Sequence, residues 1–176
     1  VAGGRAGETD GDVDTEGDDE RWAKPVVSRE TGARYLIVAS DSMAVALEPL
    51  IEWKELKGVT TERATRAVIG FAGADIRAYG QNAHETWDVP PEFLLLVGDT
   101  EVLPPAYPDT FATDNHYVAV DGDDIFPDIM VGRFSVDLIS QCQNMVEKTV
   151  FYERTPYEDD PNWPASASLC QRDDGD

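Results

Sequence analysis

The chain is poor in cysteine, histidine, lysine and long apolar runs, and each shortage closes off a class of protein. Two cysteines, Cys142 and Cys170, cannot make a disulfide framework, and with two distant histidines, His84 and His116, they match no zinc-ligand spacing. No apolar stretch comes near the roughly 18 residues that a membrane-spanning helix requires. No glycine-rich phosphate loop follows the apolar runs ending at Val38 and Val97, which makes a nucleotide-binding α/β domain a weak reading. The first residues lack a basic segment followed by an apolar one, so no signal peptide is visible, and Val1 in place of Met suggests a fragment or a processed chain.

Positive charge is also scarce. Fourteen Lys and Arg face 35 Asp and Glu for a net charge of −21, and only four of the basic residues are lysines. A field of this sign opposes phosphate backbones and anionic lipid, so nucleic acid is not an expected partner. Much of the acidity sits at the ends: residues 1–20 hold eight acids against one arginine, and residues 157–176 hold six against one. The first of these stretches has almost nothing to bury and is expected to be a disordered tail. Its Asp10, Asp12 and Asp14 alternate as calcium ligands do, but Thr15 stands where a calcium loop needs Gly and Arg21 where it needs Glu.

What remains is enough for one core: 176 residues, 41% hydrophobic. Residues 34–40, Arg-Tyr-Leu-Ile-Val-Ala-Ser, read as a central parallel strand covered on both faces. Asp41 and Ser42 offer helix-capping chemistry, Leu47, Leu50 and Ile51 share one stripe, Pro49 places the regular helix from there onward, and Gly58 stops it. Residues 59–64 are a weaker second strand. Ile76, Tyr79, Ala83 and Trp87 recur at helical spacing before Pro90-Pro91, and residues 92–98 form the clearest strand of all. Residues 117–120 and 125–131 flank an Asp-Gly turn and read as an added hairpin. Ser135 is the expected cap of a helix whose stripe is Leu138, Ile139, Cys142, Met145, Val146 and Val150, ending at Thr155-Pro156. The alternation predicts an α/β fold, a three-layer α/β/α sandwich with a mostly parallel sheet and an added hairpin, whose ligands meet the loops at the carboxyl ends of the strands.

Several segments in fixed order resemble the gingipain family of cysteine peptidases: Tyr35-Leu36-Ile37-Val38 with residues 49–54 and Gly58; Leu95-Leu96-Val97-Gly98-Asp99 with Pro104-Pro105; Thr113-Asp114 with Tyr117; and Pro127-Asp128 with Val131-Gly132-Arg133-Phe134-Ser135, then Lys148 and Tyr152-Glu153-Arg154. The resemblance implies a caspase-like subdomain over residues 34–156, preceded by a tail and lead-in at 1–33 and followed at 157–176 by a linker and the first strand of a second subdomain packed alongside. In that family the catalytic histidine sits in a Gly-His-Gly stretch and the nucleophilic cysteine follows a strand ending in Ala-Cys. Neither motif occurs here, so no catalytic residue is assigned and the chain alone is expected to be inactive. Cys142 and Cys170 read as small core residues.

The same resemblance makes Asp114 the leading substrate-binding candidate, because Arg-specific members carry an aspartate in the matching Ser/Thr-Asp-x-x-Tyr stretch at the base of the pocket for the basic side chain. A carboxylate there pairs bidentately with a guanidinium; the competing role is an Asx turn that orders the loop. Tyr117 closes that stretch. Asp99, at the end of the clearest strand, is a further candidate, with loop ordering as the favoured role. Asp121, Asp123, Asp124 and Asp128 would suit calcium, which family members use, although a solvated turn explains them without an ion. Arg133 reads as a structural residue tying the strand end to neighbouring carboxylates. The implied partner is a peptide or protein substrate of the complete enzyme, and the implied location extracytoplasmic. A naturally short, non-catalytic α/β binding or assembly domain is the alternative.

Overall fold

The computed structural model describes residues 31–70, 72–107 and 112–155. The expected disordered tail and the expected strand around Cys170 lie outside them.

Among the described residues four strands make one parallel sheet: β1 (Tyr35–Ala39), β2 (Thr61–Thr65), β3 (Phe93–Val97) and β4 (Met130–Phe134), in the order β2-β1-β3-β4. The inner strands are the most apolar because both of their faces are covered, as parallel crossovers require. Ile37, Ala39, Leu95 and Val97 face one layer with Leu47, Leu50, Cys142, Val146 and Val150. Leu36, Val38, Leu94 and Leu96 face the other, with Ile76, Leu103, Tyr117, Val118 and Ile129. Each fully buried aliphatic side chain contributes about 1.5–3 kcal/mol from surface removed from water.

After β1 a 3-10 turn (Asp41–Leu47) runs into helix α1 (Glu48–Leu56), with Pro49 in its first turn, where its missing N–H costs nothing. Gly58 follows at φ 79°, the left-handed conformation that ends a helix. A single-turn α2 (Arg66–Ile69) and the longer α3 (Gly73–Thr86) cover the opposite face. Asp75 reaches back to the Ala72 N–H at 2.9 Å to satisfy the start of α3. Helix α4 (Ile139–Arg154) returns across the α1 face, with Cys142, Val146 and Val150 buried.

Two expectations are corrected. The stretch before β4 is not a hairpin: residues 115–129 form a short 3-10 turn (Asn115–Tyr117) and a loop, and β4 pairs parallel to β3. The reason is Asp128, whose carboxylate accepts the Val120 and Asp121 N–H groups at 2.7 and 2.9 Å and so takes backbone donors that a hairpin ladder would use. Nor does Ser135 cap α4. Gln141 does, its Oε1 accepting the Asp137 and Leu138 N–H groups, and Leu138 and Ile139 stay exposed.

The first crossover leaves β1 toward the α1 face, whereas the chain leaving β3 turns to the α3 face. Between β1 and β3 lies a topological switch point, the place at the carboxyl edge where open parallel sheets hold ligands.

Candidate functional site at the carboxyl edge

Beyond β3 the backbone turns on Gly98, whose φ is 143° and on which an added Cβ would stand 2.8 Å from a methyl carbon of Val102. Asp99 folds the next turn back on itself. Its carbonyl accepts the Val102 and Leu103 N–H groups at 2.9 and 2.8 Å, and its Oδ1 accepts the Thr100 N–H at 2.7 Å. This carboxylate therefore orders its own loop.

The loop then meets the Asp114 stretch. Ala106 and Thr113 exchange two backbone hydrogen bonds of 3.0 and 2.9 Å, and Tyr117 donates its N–H to the Asp114 carbonyl at 3.0 Å. Tyr117 is buried against α3, and its hydroxyl donates to the Pro104 carbonyl. Gly73 makes room for that hydroxyl, which would lie 2.7 Å from an added Cβ. Burial pushes the Tyr117 phenol above its ordinary pKa; Asp114 adds to the shift and Arg133 opposes it.

Arg133, on β4, joins these pieces. Its Nε and Nη2 donate to the two carboxylate oxygens of Asp114 at 2.8 and 2.7 Å, while Nη1 donates to the carbonyls of Gly98 and Leu103 at 2.7 and 2.9 Å. The Arg133 side chain is 12% exposed and that of Asp114 24%. Bidentate pairing in this geometry is the strong form of the Arg–carboxylate contact. Two more arginines serve the same edge: Arg66 donates to the Val102 carbonyl and Arg77 to that of His116.

Asp114 and Tyr117 thus lie beside Arg133, and Asp99 belongs to the loop that Arg133 ties through Gly98 and Leu103. The acidic turn does not converge in the same way. Asp128 caps backbone amides and Asp124 accepts the Phe126 N–H, and among the described residues no group of three or more His, Cys, Asp or Glu is placed to hold a metal ion. Cys142 lies buried on the α4 side of the sheet, where burial raises its thiol pKa, while His84 and His116 belong to the α3 side. The sheet separates this thiol from both imidazoles, so they form no nucleophile–base pair.

The sequence marks Arg133 as a tie to carboxylates but carries no signal for Arg66 and Arg77, whose acceptors are main-chain carbonyls invisible to residue patterns. At the opposite end of the sheet a shallow groove of about 200 Å³ is lined by Tyr35, Phe93, Leu95, Met130, Val131 and Gly132.

A parallel sheet between helix layers, with its loops tied together at the carboxyl edge, defines a caspase-like α/β subdomain of the kind found in the gingipains. The chain belongs to peptidase family C25: residues 28–176 match that family's profile. It is 32% identical to Lys-gingipain of Porphyromonas gingivalis over 136 residues, which is 73% of this chain but 8% of that protein. Gingipain R2 of the same organism is 25% identical over 148 residues, 83% of this chain and 20% of the relative. The chain therefore spans a small part of the relatives it matches. Among solved structures, that of the Arg-specific cysteine proteinase gingipain R superposes with a TM-score of 0.65 at 22% identity, covering 73% of this chain and 30% of the other, a likeness of fold.

Proposed function

We propose that this chain is the substrate-pocket half of a gingipain-like cysteine endopeptidase, and that the reactive thiol and imidazole are supplied by sequence outside these 176 residues. The observation that carries this reading is the Arg133 cluster. A single guanidinium binds the Gly98 and Leu103 carbonyls and the Asp114 carboxylate at the carboxyl ends of β3 and β4 of a C25 sheet, which makes that edge a rigid wall against which an extended peptide can be held. Asp99 shapes the first loop of the wall, Tyr117 anchors its back, and Asp114 completes it through Arg133.

In the complete enzyme a thiolate attacks the peptide carbonyl, an imidazole handles the proton transfers and backbone amides stabilise the oxyanion. The residues described here would position the substrate without touching the reacting atoms. The second subdomain would pack beside β4, where Met130 is 64% exposed and an added Cβ on Gly132 meets nothing within 4 Å. No helix of the described residues is long and apolar enough to cross a membrane. Kinship with the gingipains supports an extracytoplasmic location for the whole protein.

The test is to assay the full-length gene product for peptide hydrolysis before and after alkylation with iodoacetamide, alongside the 176-residue chain. Hydrolysis by the former that alkylation abolishes, with none by the latter, is the expected result. Thiol-dependent cleavage by the short chain, or none by the full-length product, rejects the proposal.

A further inference from the structure

We infer that the groove at the amino end of the sheet is a seat for the side chain of Trp163, and that this contact fixes where the polypeptide leaves the subdomain. The contact needs no peptidase activity in the complete protein.

The groove exists because one corner of the sheet lacks a cover. Strand pairing aligns Tyr35 with Phe93 and Phe93 with Met130 in one row, and Leu95 with Gly132 in the next row on the same face. Tyr35 and Leu95 belong to the layer beneath α1 and α4. The last turn of α4, however, is drawn toward α1. Glu153 accepts from Trp53, Lys54 and Lys57, and the Arg154 guanidinium stacks 4.6 Å from the centre of the Trp53 ring. Met130 is left exposed, and an added Cβ on Gly132 meets nothing within 4 Å. The resulting space of about 200 Å³ has an aromatic wall, a thioether and a floor without a side chain. A flat aromatic ring suits it, through offset or edge contacts with Tyr35 and Phe93 and a sulfur contact with Met130.

Tether length and charge point to an occupant from this chain. Helix α4 ends beside the groove, since Glu153 binds Lys54, whose ammonium lies 5.2 Å from the centre of the Tyr35 ring. From Thr155, eight residues lead to Trp163, a reach of up to about 26–29 Å. Tyr157, two residues on, reaches only about 7 Å, less than the roughly 9.5 Å that separates β1 from β4 across β3. Glu158, Asp159 and Asp160 precede Trp163, and their path starts where Lys54, Lys57 and Arg154 surround the single carboxylate of Glu153. Opposite charges along that path favour it. With Trp163 seated, the residues after it set out beside β4, the outer strand of the described sheet, which decides where the next packed unit can begin.

The test incorporates fluorotryptophan and, in a second sample, methyl-labelled methionine into the 176-residue chain and reads both by NMR. Trp163→Phe identifies the Trp163 fluorine signal. That signal should shift little between light and heavy water. Gly132→Leu, which fills the groove, should move it to the position and full solvent shift of an exposed indole while the Trp53 and Trp87 signals stay. Conversely, Trp163→Ala should move the Met130 methyl signal and leave those of Met43 and Met145. A parent Trp163 signal with the full solvent shift overturns the inference, as does one that Gly132→Leu leaves in place, or a Met130 methyl indifferent to Trp163→Ala. A Trp163 signal whose position follows protein concentration assigns the groove to a second copy and overturns it too. Should Gly132→Leu fail to fold, the Met130 methyl decides; should the 176-residue chain fail to fold, the same spectra are read on the full-length gene product.

Discussion

Two charged clusters sit at opposite ends of the sheet and are built as opposites. At the carboxyl edge a cation, Arg133, is surrounded by acceptors: one carboxylate and two backbone carbonyls. On the α1–α4 side an anion, Glu153 of α4, is surrounded by donors from α1: Trp53 Nε1 at 2.9 Å, Lys54 Nζ at 2.6 Å and Lys57 Nζ at 3.0 Å. Tyr35 lies beside it, its ring 5.2 Å from the Lys54 ammonium, and its phenol pKa is pushed up to about 12 by burial and then by the Glu153 charge. The difference lies in what each cluster joins. Glu153 links two helices whose backbones are satisfied internally, so losing it loosens packing. Arg133 supplies hydrogen bonds to loops that have few of their own, so losing it unties the candidate site.

The largest effect should therefore come from Arg133→Met, which strands the Asp114 carboxylate and two carbonyls and should lower unfolding free energy by about 3 kcal/mol in a urea titration. Amide hydrogen exchange should rise in residues 98–103 and 112–118 before it rises in α1 or α4. Uniform loss of protection would break the contrast between the two clusters. Asp114→Asn keeps the shape but gives up the charge, and about 1–2 kcal/mol is expected by the same measurement.

Glu153→Gln should cost about 1 kcal/mol near neutral pH and leave the carboxyl-edge amides protected. Here pH sharpens the comparison. Burial pushes the Glu153 carboxyl up, but the hydrogen bonds from Lys54, Lys57 and Trp53 outweigh it and hold the pKa at about 2, below the ordinary value of 4.5. A depressed carboxyl stabilises the fold above its unfolded pKa and loses that contribution as pH falls toward the folded one. The stability difference between parent and Glu153→Gln should thus hold above about pH 4.5 and fade toward pH 2. A difference that grows on acidification would refute the assignment. The smallest effect belongs to Arg34→Gln: the Arg34–Glu92 pair is short at 2.6 Å but exposed and screened by water, so no resolvable shift of the melting temperature is expected.

Strand positions were readable because burial on both faces leaves a continuous apolar signature, as in Leu36-Ile37-Val38 and Leu94-Leu95-Leu96. The α1 boundaries were readable from Pro49 and Gly58, where backbone geometry dictates residue type. The Asp-Gly turn misled because a local hairpin signal competes with side-chain capping. Asp128 reaches amides seven and eight residues back in the chain, and nothing local marks it as a cap.

Hydrophobic pattern and turn chemistry act between near neighbours, so the chain's own order of residues determined the layered α/β class, the limits of α1 and the place of Asp99 at a strand end, while Asp114 and Tyr117 were marked by the family resemblance. Which charge meets which was decided only on folding. Arg133 and Asp114 are 19 residues apart, and it takes β4 laid against β3 to bring them together. Electrostatic partnership depends on distance in space, and only the assembled sheet sets that distance.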